Sequence, residues 1–174
     1  MNLTQLPVGD DAPAVVNVVI ENPKGSRLKV EYNAEYGYFF IDRIHQTHLG
    51  SPTDYGFIPS TLDEDNDALD ILLVTDDALP TGMVAEMRVL GVMYMNDSGE
   101  VDNKLIGVIK SDKSKDHIKT VDDLGEQFKK STQHYFEHYK DLKGDKVEIT
   151  GWGDQQAAAK VLEECIQRYQ ESRK

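Results

Sequence analysis

The chain has 174 residues and a formal net charge of −12, from 19 basic and 31 acidic side chains. This balance argues against nucleic acid as a partner, because binding to phosphates needs clustered Lys and Arg. It also argues against an anionic membrane surface. The length predicts one domain over residues 1–174, which is enough chain to bury a hydrophobic core.

The chain contains one cysteine, Cys165, so no disulfide can form within it. This predicts a reducing compartment, and we expect the cytoplasm. The N-terminal residues carry neither a basic region nor a long apolar run, so we expect no signal peptide. No apolar stretch approaches the roughly 20 residues of a membrane span.

The first two thirds of the chain are predicted to be mainly β-strands. Short runs rich in β-branched and aromatic residues alternate with turn residues such as Asn, Asp, Gly and Pro. Residues 83–95 are long enough for a strand pair or for one bent strand. The predicted strands are 15–20, 28–33, 38–44, 70–74, 83–95 and 104–110.

The last third is predicted to hold two helices with a strand between them. In the first helix, within 120–142, Thr120 and Asp123 fit a capping box and Gly144 is a stop signal. Its apolar side chains recur at helical spacing: Leu124, Phe128, Tyr135 and Tyr139. After the strand "KVEITGW", Asp154 can cap a second helix. One face of that helix is predicted to hold Ala158, Leu162, Cys165 and Tyr169.

Several short strands followed by helices are typical of an α+β fold. The strands are numerous and closely spaced, so their sheet is predicted to close into a small barrel.

The stretch "DEDNDALDILLV", residues 63–74, crowds carboxylates against the start of an apolar strand. Two carboxylates about 4 Å apart repel by roughly 1–4 kcal/mol, depending on how wet the site is. These side chains therefore either point into water or are held by cations. Composition alone favours a solvated acidic turn, and Asp63 and Glu64 are predicted to be solvated turn residues.

Two other metal motifs have partial matches: the EF-hand is excluded, and the zinc hydrolase motif stays as a weak alternative. An EF-hand loop fits Asp63, Asp65 and Asp67, but it requires Gly where Ala68 stands and Glu where Val74 stands. The segment "HYFEH", 134–138, matches the H-x-x-E-H pattern of zinc hydrolases. That pattern fixes only a few positions, and exposed or partner-contacting histidines explain it as well.

A third possibility combines the acidic stretch with distant residues. Oxygen ligands without His or Cys suit Mg²⁺, with Mn²⁺ as a substitute. Lys, Arg and Tyr side chains elsewhere in the chain are donors that bind phosphate oxygens. Together these are the components of metal-assisted phosphoryl transfer. The chain has no Gly-x-x-x-x-Gly-Lys loop, so a P-loop nucleotide enzyme is excluded.

Several blocks in this order resemble the soluble family I inorganic pyrophosphatases. They are "SPTDYGFIPSTL", "DEDNDALDILLV", "NDSGEVDNKLIGV", "DHIKTVDDL", "HYFEHYKDL" and "GW". The family's metal-binding signature, Asp-x-Asp-Pro-x-Asp, corresponds to residues 65–70 here, "DNDALD". The resemblance covers about residues 16–159. It implies a closed β-barrel of the OB type with flanking helices, and Mg²⁺-dependent hydrolysis of pyrophosphate to two phosphates.

The resemblance also implies a role for each matching residue. The metal ligands would be Asp65, Asp70, Asp97, Asp102 and Glu31. Asp67 would accept a proton from the attacking water, and Glu21 would support the site. The phosphate oxygens would be bound by Lys29, Arg43, Tyr55, Lys104, Tyr139 and Lys140. Bacterial relatives form hexamers, which implies a homohexamer here.

Three positions depart from the family pattern. Ala68 replaces the usual Pro, Ser51 stands where Tyr often precedes a Pro, and Ser98 replaces an acidic residue. None of these removes an implied metal ligand. The alternative function is a non-catalytic module that binds divalent cations on the same fold.

Overall fold

The structure is a computed structural model that describes residues 2–173. Its strands, in chain order, are β1 (Val15–Asn22), β2 (Leu28–Asn33), β3 (Tyr38–Ile44), β4 (Asp54–Phe57), β5 (Asp70–Val74), β6 (Val84–Asp97), β7 (Glu100–Val101), β8 (Lys104–Ile109) and β9 (Val147–Gly153). The helices are α1 (Glu126–His138) and α2 (Gln155–Ser172). The α+β prediction is confirmed.

The main sheet closes on itself as a barrel. Its strands follow the order β1-β4-β5-β8-β6, and β6 pairs back onto β1. The β5–β8 pair is parallel, and the other pairs of this ring are antiparallel. The strands β7 and β9 extend the sheet from β6, while β2 and β3 form a separate antiparallel hairpin.

The long strand β6 makes this closure possible. Its first part pairs with β1, and its middle and end pair with β8 and β9. The registers shift between Val89 and Gly91 and between Tyr94 and Met95. Such irregularities bend a strand, so the segment predicted at 83–95 forms one bent strand, Val84–Asp97, and not a strand pair.

The helices cover the two faces of the barrel sheet. Leu162 and Cys165 of α2 pack with Ile71 and Leu73 of β5, whereas Phe136 of α1 packs in a second cluster with Leu72. A strand buried on both faces needs an unbroken apolar run. This explains why "ILLV" follows Asp70 directly, and it fixes Asp70 at a rigid strand end.

The structure corrects the predicted first helix. Thr120 and Asp123 do form the reciprocal hydrogen bonds of a capping box, with Thr120 N donating to Asp123 Oδ2 over 2.8 Å. They initiate only a short 3₁₀ turn at Asp122–Leu124. Gly125 follows with φ of +83°, outside helical geometry, so α1 begins at Glu126. It ends at His138, and Gly144 terminates a further 3₁₀ turn, Asp141–Lys143.

The second helix agrees with its prediction. Asp154 Oδ1 accepts a hydrogen bond from Ala157 N over 2.9 Å, as an N-cap does. Ala158, Leu162 and Cys165 are fully buried. Within residues 2–173, no helix has the length and apolarity that crossing a membrane requires.

Candidate active site

A cavity of about 470 Å³ lies between the barrel, the β2–β3 hairpin and the segment after α1. It gathers most of the predicted site residues from distant parts of the chain. The predicted residues that line it are Glu21, Lys29, Glu31, Arg43, Tyr55, Asp65, Asp67, Asp70, Asp97, Asp102, Tyr139 and Lys140. Lys104 is the exception, because it is 1% exposed and lies beneath this lining.

Lys104 joins two of the predicted metal ligands. Its Nζ lies 2.7 Å from Asp70 Oδ2 and 2.7 Å from Asp102 Oδ1. The parallel register of β5 and β8 sets Asp70 opposite Lys104, and Tyr55 also donates to Asp70 from the neighbouring strand. The ammonium group therefore compensates two carboxylates that would otherwise repel each other in a poorly solvated position.

The pKa values of these groups reflect their burial and pairing. Burial alone would lower the pKa of Lys104, but Asp102 and Asp70 raise it well above its ordinary value. Burial raises the pKa of Asp102 to about 6, with Asp70 adding to the rise and Lys104 opposing it. Burial would also raise the pKa of Asp70, but Lys104 and Lys29 hold it below its usual range.

Asp65 and Asp67 lie on an exposed turn that precedes β5. The turn is closed by Asp63 N, which donates to Asp67 O over 2.7 Å, and Asn66 has a positive φ of 71°. Asp67 N donates to Asp65 Oδ1 over 3.0 Å. Burial, and then the charges of Asp65 and Asp70, raise the pKa of the Asp67 carboxyl.

Asp63 was predicted to be a solvated turn residue, and the structure shows that this is wrong. Asp63 is 6% exposed, and its Oδ1 lies 3.2 Å from Arg168 NH1 on α2. Glu64, the next residue, is exposed as predicted. The stretch 63–67 therefore has a buried anchor and exposed carboxylates.

Basic and phenolic side chains line the same cavity as the carboxylates. Lys29 and Arg43 are paired across β2 and β3, and Lys29 Nζ lies 4.8 Å from the centre of the Tyr55 ring. Lys140 forms an ion pair with Asp97 at the end of β6. Tyr139 precedes Lys140 and lines the same cavity.

Glu21 lies at the end of β1 and lines the same cavity as these basic and phenolic side chains. It is 7% exposed and accepts a hydrogen bond from Tyr32 N over 3.0 Å. Burial raises its pKa to about 7, against the lowering influence of Lys29. Glu21 thus connects β1 to the hairpin that carries Lys29.

Some lining residues were not predicted from the sequence. His45 is buried, with its ring centre 5.0 Å from that of Tyr139. Burial and the charges of Arg43, Lys29 and Lys140 lower its pKa to about 4. Asn22 accepts from Val30 N over 2.7 Å and so fixes the start of the hairpin. An Asn at the end of a strand carries no signal that would have identified this contact.

The "HYFEH" segment lies on α1, with His134 and His138 exposed. Their ring centres are 4.5 Å apart, but Glu137 accepts from Gln133 over 2.9 Å and His138 Nδ1 lies 2.8 Å from Asp141 Oδ2. Neither histidine lines the cavity.

The donor chemistry of the cavity fits a hard divalent cation. Burial raises the pKa values of Asp67 and Asp102, and neighbouring carboxylates add to the rise, so positive charge at this site would be stabilising. In residues 2–173, no three His, Cys, Asp or Glu side chains form a ready-made ligand set. Asp70, Asp97 and Asp102 are instead paired with lysines. Each of these contacts occupies one carboxylate oxygen, so the other oxygen can still bind a cation.

Comparisons with known proteins agree with this geometry. The model of the inorganic pyrophosphatase family matches residues 18–170. An inorganic pyrophosphatase of Thermus thermophilus is 47% identical over 171 residues, covering 97% of this chain and 98% of the relative. One from Neisseria meningitidis is 45% identical over 166 residues, covering 94% of each chain.

Solved structures give the same result. The crystal structure of the inorganic pyrophosphatase from Thermus thermophilus superposes with a TM-score of 0.94 at 46% identity, covering 98% of this chain and 99% of that one. The enzyme from Neisseria gonorrhoeae gives a TM-score of 0.92 at 43% identity, covering 97% and 99%. The resemblance seen in the sequence is confirmed, and this chain belongs to the inorganic pyrophosphatase family.

Proposed function

We propose that this protein hydrolyses inorganic pyrophosphate to two orthophosphates, with divalent cations and with Asp67 as the general base. The observation that carries the proposal is one cavity in which carboxylates of the acidic turn face Lys29, Arg43 and Lys140. Carboxylates can hold cations, and the basic groups can hold phosphate oxygens. A protein that only binds cations would need the carboxylates but not the basic groups.

The proposed cation ligands are Asp65, Asp70, Asp97, Asp102 and Glu31, and the proposed ion is Mg²⁺, with Mn²⁺ as a substitute. Carboxylate oxygens without His or Cys favour these hard ions. When bound, Mg²⁺ supplies positive charge that offsets the phosphoryl oxygens and makes water more acidic.

Asp67 is proposed to accept the proton of the attacking water. Its raised pKa supports the role, because a general base is more effective when its pKa lies closer to the working pH. Asp70 and Asp102 are less suited to it, since both are paired with Lys104. Their proposed role is to hold cations and thereby to orient the water toward Asp67.

The proposed phosphate-binding residues are Lys29, Arg43, Tyr55, Lys104, Tyr139 and Lys140. Arg43 and Lys29 present charged donors from adjacent strands, which can stabilise charge that develops on the leaving phosphate. Lys104 donates to Asp70, Asp102 and Tyr55, so it would reach phosphate by exchanging one of these three partners. Glu21 is proposed to support Lys29 from behind.

We further propose a cytoplasmic homohexamer. The β2–β3 hairpin supports assembly, because Tyr36, Ile41 and Ile44 expose 67%, 58% and 49% of their surfaces. Apolar side chains grouped on one element are typical of interfaces. Light scattering of the purified protein would give the assembly mass, and a monomer at micromolar concentration would refute the hexamer.

The function is tested by phosphate release from pyrophosphate across a range of Mg²⁺ concentrations and pH. We expect release that depends on Mg²⁺ and ceases when a chelator is added. Magnesium binding without any phosphate release would instead support the non-catalytic cation-binding module. One tight zinc ion per chain in elemental analysis would favour the "HYFEH" site.

A further inference from the structure

The turn that presents Asp65 and Asp67 is tied to the C-terminal helix. Arg168 NH1 donates to Leu62 O over 2.7 Å and lies 3.2 Å from Asp63 Oδ1. In addition, Leu62 N donates to Cys165 O over 3.0 Å. We call Arg168, Cys165, Leu62 and Asp63 the Arg168 clamp.

Within the clamp, Asp63 links α2 to the turn. Its Oδ1 accepts from Glu64 N over 2.9 Å as well as from Arg168, and Cys165 Sγ lies 3.6 Å away. The Asp63 backbone bonds to Asp67 O and to Asn66 N. One buried residue therefore contacts both the helix and the two ends of the exposed turn.

The clamp offsets charge repulsion among the carboxylates of the turn. Asp63, Glu64, Asp65 and Asp67 lie within five residues, so their mutual repulsion favours an open and variable turn. Arg168 opposes this, since it contacts Asp63 directly and its NH2 lies 3.8 Å from Glu64 Oε1. A planar guanidinium that binds a carbonyl and a carboxylate together fixes orientation as well as distance.

We propose that Arg168 is a positioning residue, which holds Asp65 and Asp67 in the arrangement that binds divalent cations and accepts the proton of water. The inference rests on the proposed function of these two aspartates. Arg168 itself does not line the cavity. Its substitution should therefore alter cation affinity and kcat more than KM for pyrophosphate, because Lys29, Arg43 and Lys140 lie outside both the turn and α2.

The first measurement is independent of activity. Mn²⁺ alone is titrated into the full-length protein, and unbound Mn²⁺ is followed by electron paramagnetic resonance. For Arg168→Ala we expect the Mn²⁺ dissociation constant to rise about tenfold, the size expected when a hydrogen bond to a charged group is lost. Arg168→Lys should recover part of the loss, because its ammonium can still reach Leu62 O.

Two control variants distinguish the proposed positioning role of Arg168 from two simpler effects. These effects are the loss of a positive charge on α2 and a general loss of stability. Lys160→Ala removes the same charge from an exposed site on α2, and its Mn²⁺ affinity should match that of the wild type. Val161→Ala removes core contacts of α2, so it should lower the melting temperature without changing Mn²⁺ affinity. If Val161→Ala weakens Mn²⁺ binding as much as Arg168→Ala does, the clamp is merely structural and the proposal fails.

Kinetics supply the second measurement. Arg168→Ala should lower kcat about tenfold at saturating Mg²⁺ while KM changes less than about threefold, as expected for lost positioning of catalytic groups. Asp63→Ala should do the same, because it removes the oxygen that accepts from Arg168 and Glu64, and it decides the question if Arg168→Ala does not fold. Wild-type Mn²⁺ affinity and kcat in folded Arg168→Ala, or in folded Asp63→Ala, would overturn the proposal. A wild-type protein that releases no phosphate would instead refute the proposed function, and the Mn²⁺ titration would still test the clamp.

Discussion

Lys104 Nζ lies 2.7 Å from Asp102 Oδ1, and the lysine is 1% exposed. The same ammonium also bonds to Asp70, so one buried cation compensates two carboxylates. Removal of one member of such a group leaves uncompensated charge where water cannot reach it freely.

The first prediction concerns Lys104→Met in the presence of a chelator. We expect it to lower the free energy of unfolding by about 3 kcal/mol, because Asp70 and Asp102 lose their partner. Added Mg²⁺ should recover part of this loss, since it can replace the ammonium charge. Urea unfolding with and without Mg²⁺ measures both effects.

The control for this prediction is Lys113→Met. Lys113 has a side chain that is 83% exposed and lies 4.0 Å from Asp116, so its loss should change stability by less than about 0.5 kcal/mol. A Lys104→Met protein as stable as the wild type without Mg²⁺ would contradict the role of Lys104 as a charge partner.

The second prediction concerns Asp67→Asn. A general base contributes roughly 10²–10⁴-fold to rate, so kcat should fall by about that factor. Mg²⁺ binding should persist, because the proposed ligands Asp65 and Asp70 remain. Phosphate release and calorimetric Mg²⁺ titration give the two quantities separately.

Glu64→Gln removes a carboxylate from the same turn and should keep most of the activity. Equal losses of activity in Glu64→Gln and Asp67→Asn would indicate that only the negative charge of the turn matters.

The acidic site could be predicted because much of its signal is local. Asp65, Asp67 and Asp70 lie within one short segment, and the apolar residues after Asp70 require a buried strand. Once the strand is fixed, its parallel pairing with β8 brings Lys104 beside Asp70. Family resemblance supplied the assignment of roles.

The parts that sequence reasoning missed depend on contacts between distant segments. Asp63 looks solvated in isolation, and only the packing of α2 brings Arg168 to it. Strand β4 was missed because it is short and contains Gly56, a weak strand former. A Cβ at Gly56 would lie 1.9 Å from Val19 O, so close pairing with β1 requires glycine. The start of α1 was misplaced because the backbone of Gly125 is not helical.

The third prediction concerns the pH dependence of stability. Burial and nearby Arg43 lower the pKa of His45 from 6.5 to about 4. Between these values the unfolded chain binds more protons than the native protein, so this group makes stability rise with pH over that window. His45→Gln should reduce the slope of unfolding free energy against pH between about 4 and 6.5.

Urea titrations at several pH values in this window test the prediction. Aspartates and glutamates also titrate there, so the informative quantity is the difference in slope between His45→Gln and the wild type. His117→Gln removes an exposed histidine and should leave the slope close to that of the wild type. Identical slopes for His45→Gln and the wild type would show that His45 is protonated normally in the native protein.

The last prediction concerns the reactivity of Cys165. Burial, together with the charge of Asp63, raises the pKa of this thiol to about 12, and it is 0% exposed. Alkylation by iodoacetamide at pH 8 should therefore be at least about 10²-fold slower in the native protein than in urea, because thiolate is the reactive form.

Arg168→Ala should accelerate alkylation of Cys165 in the native protein. Arg168 favours the thiolate, so loss of its charge alone would slow the reaction. An acceleration would therefore come from greater access to the thiol, through opening of the segment near Asp63 and loss of the side chain that lies 3.4 Å from Sγ. Unchanged or slower alkylation would show that this segment stays closed without Arg168.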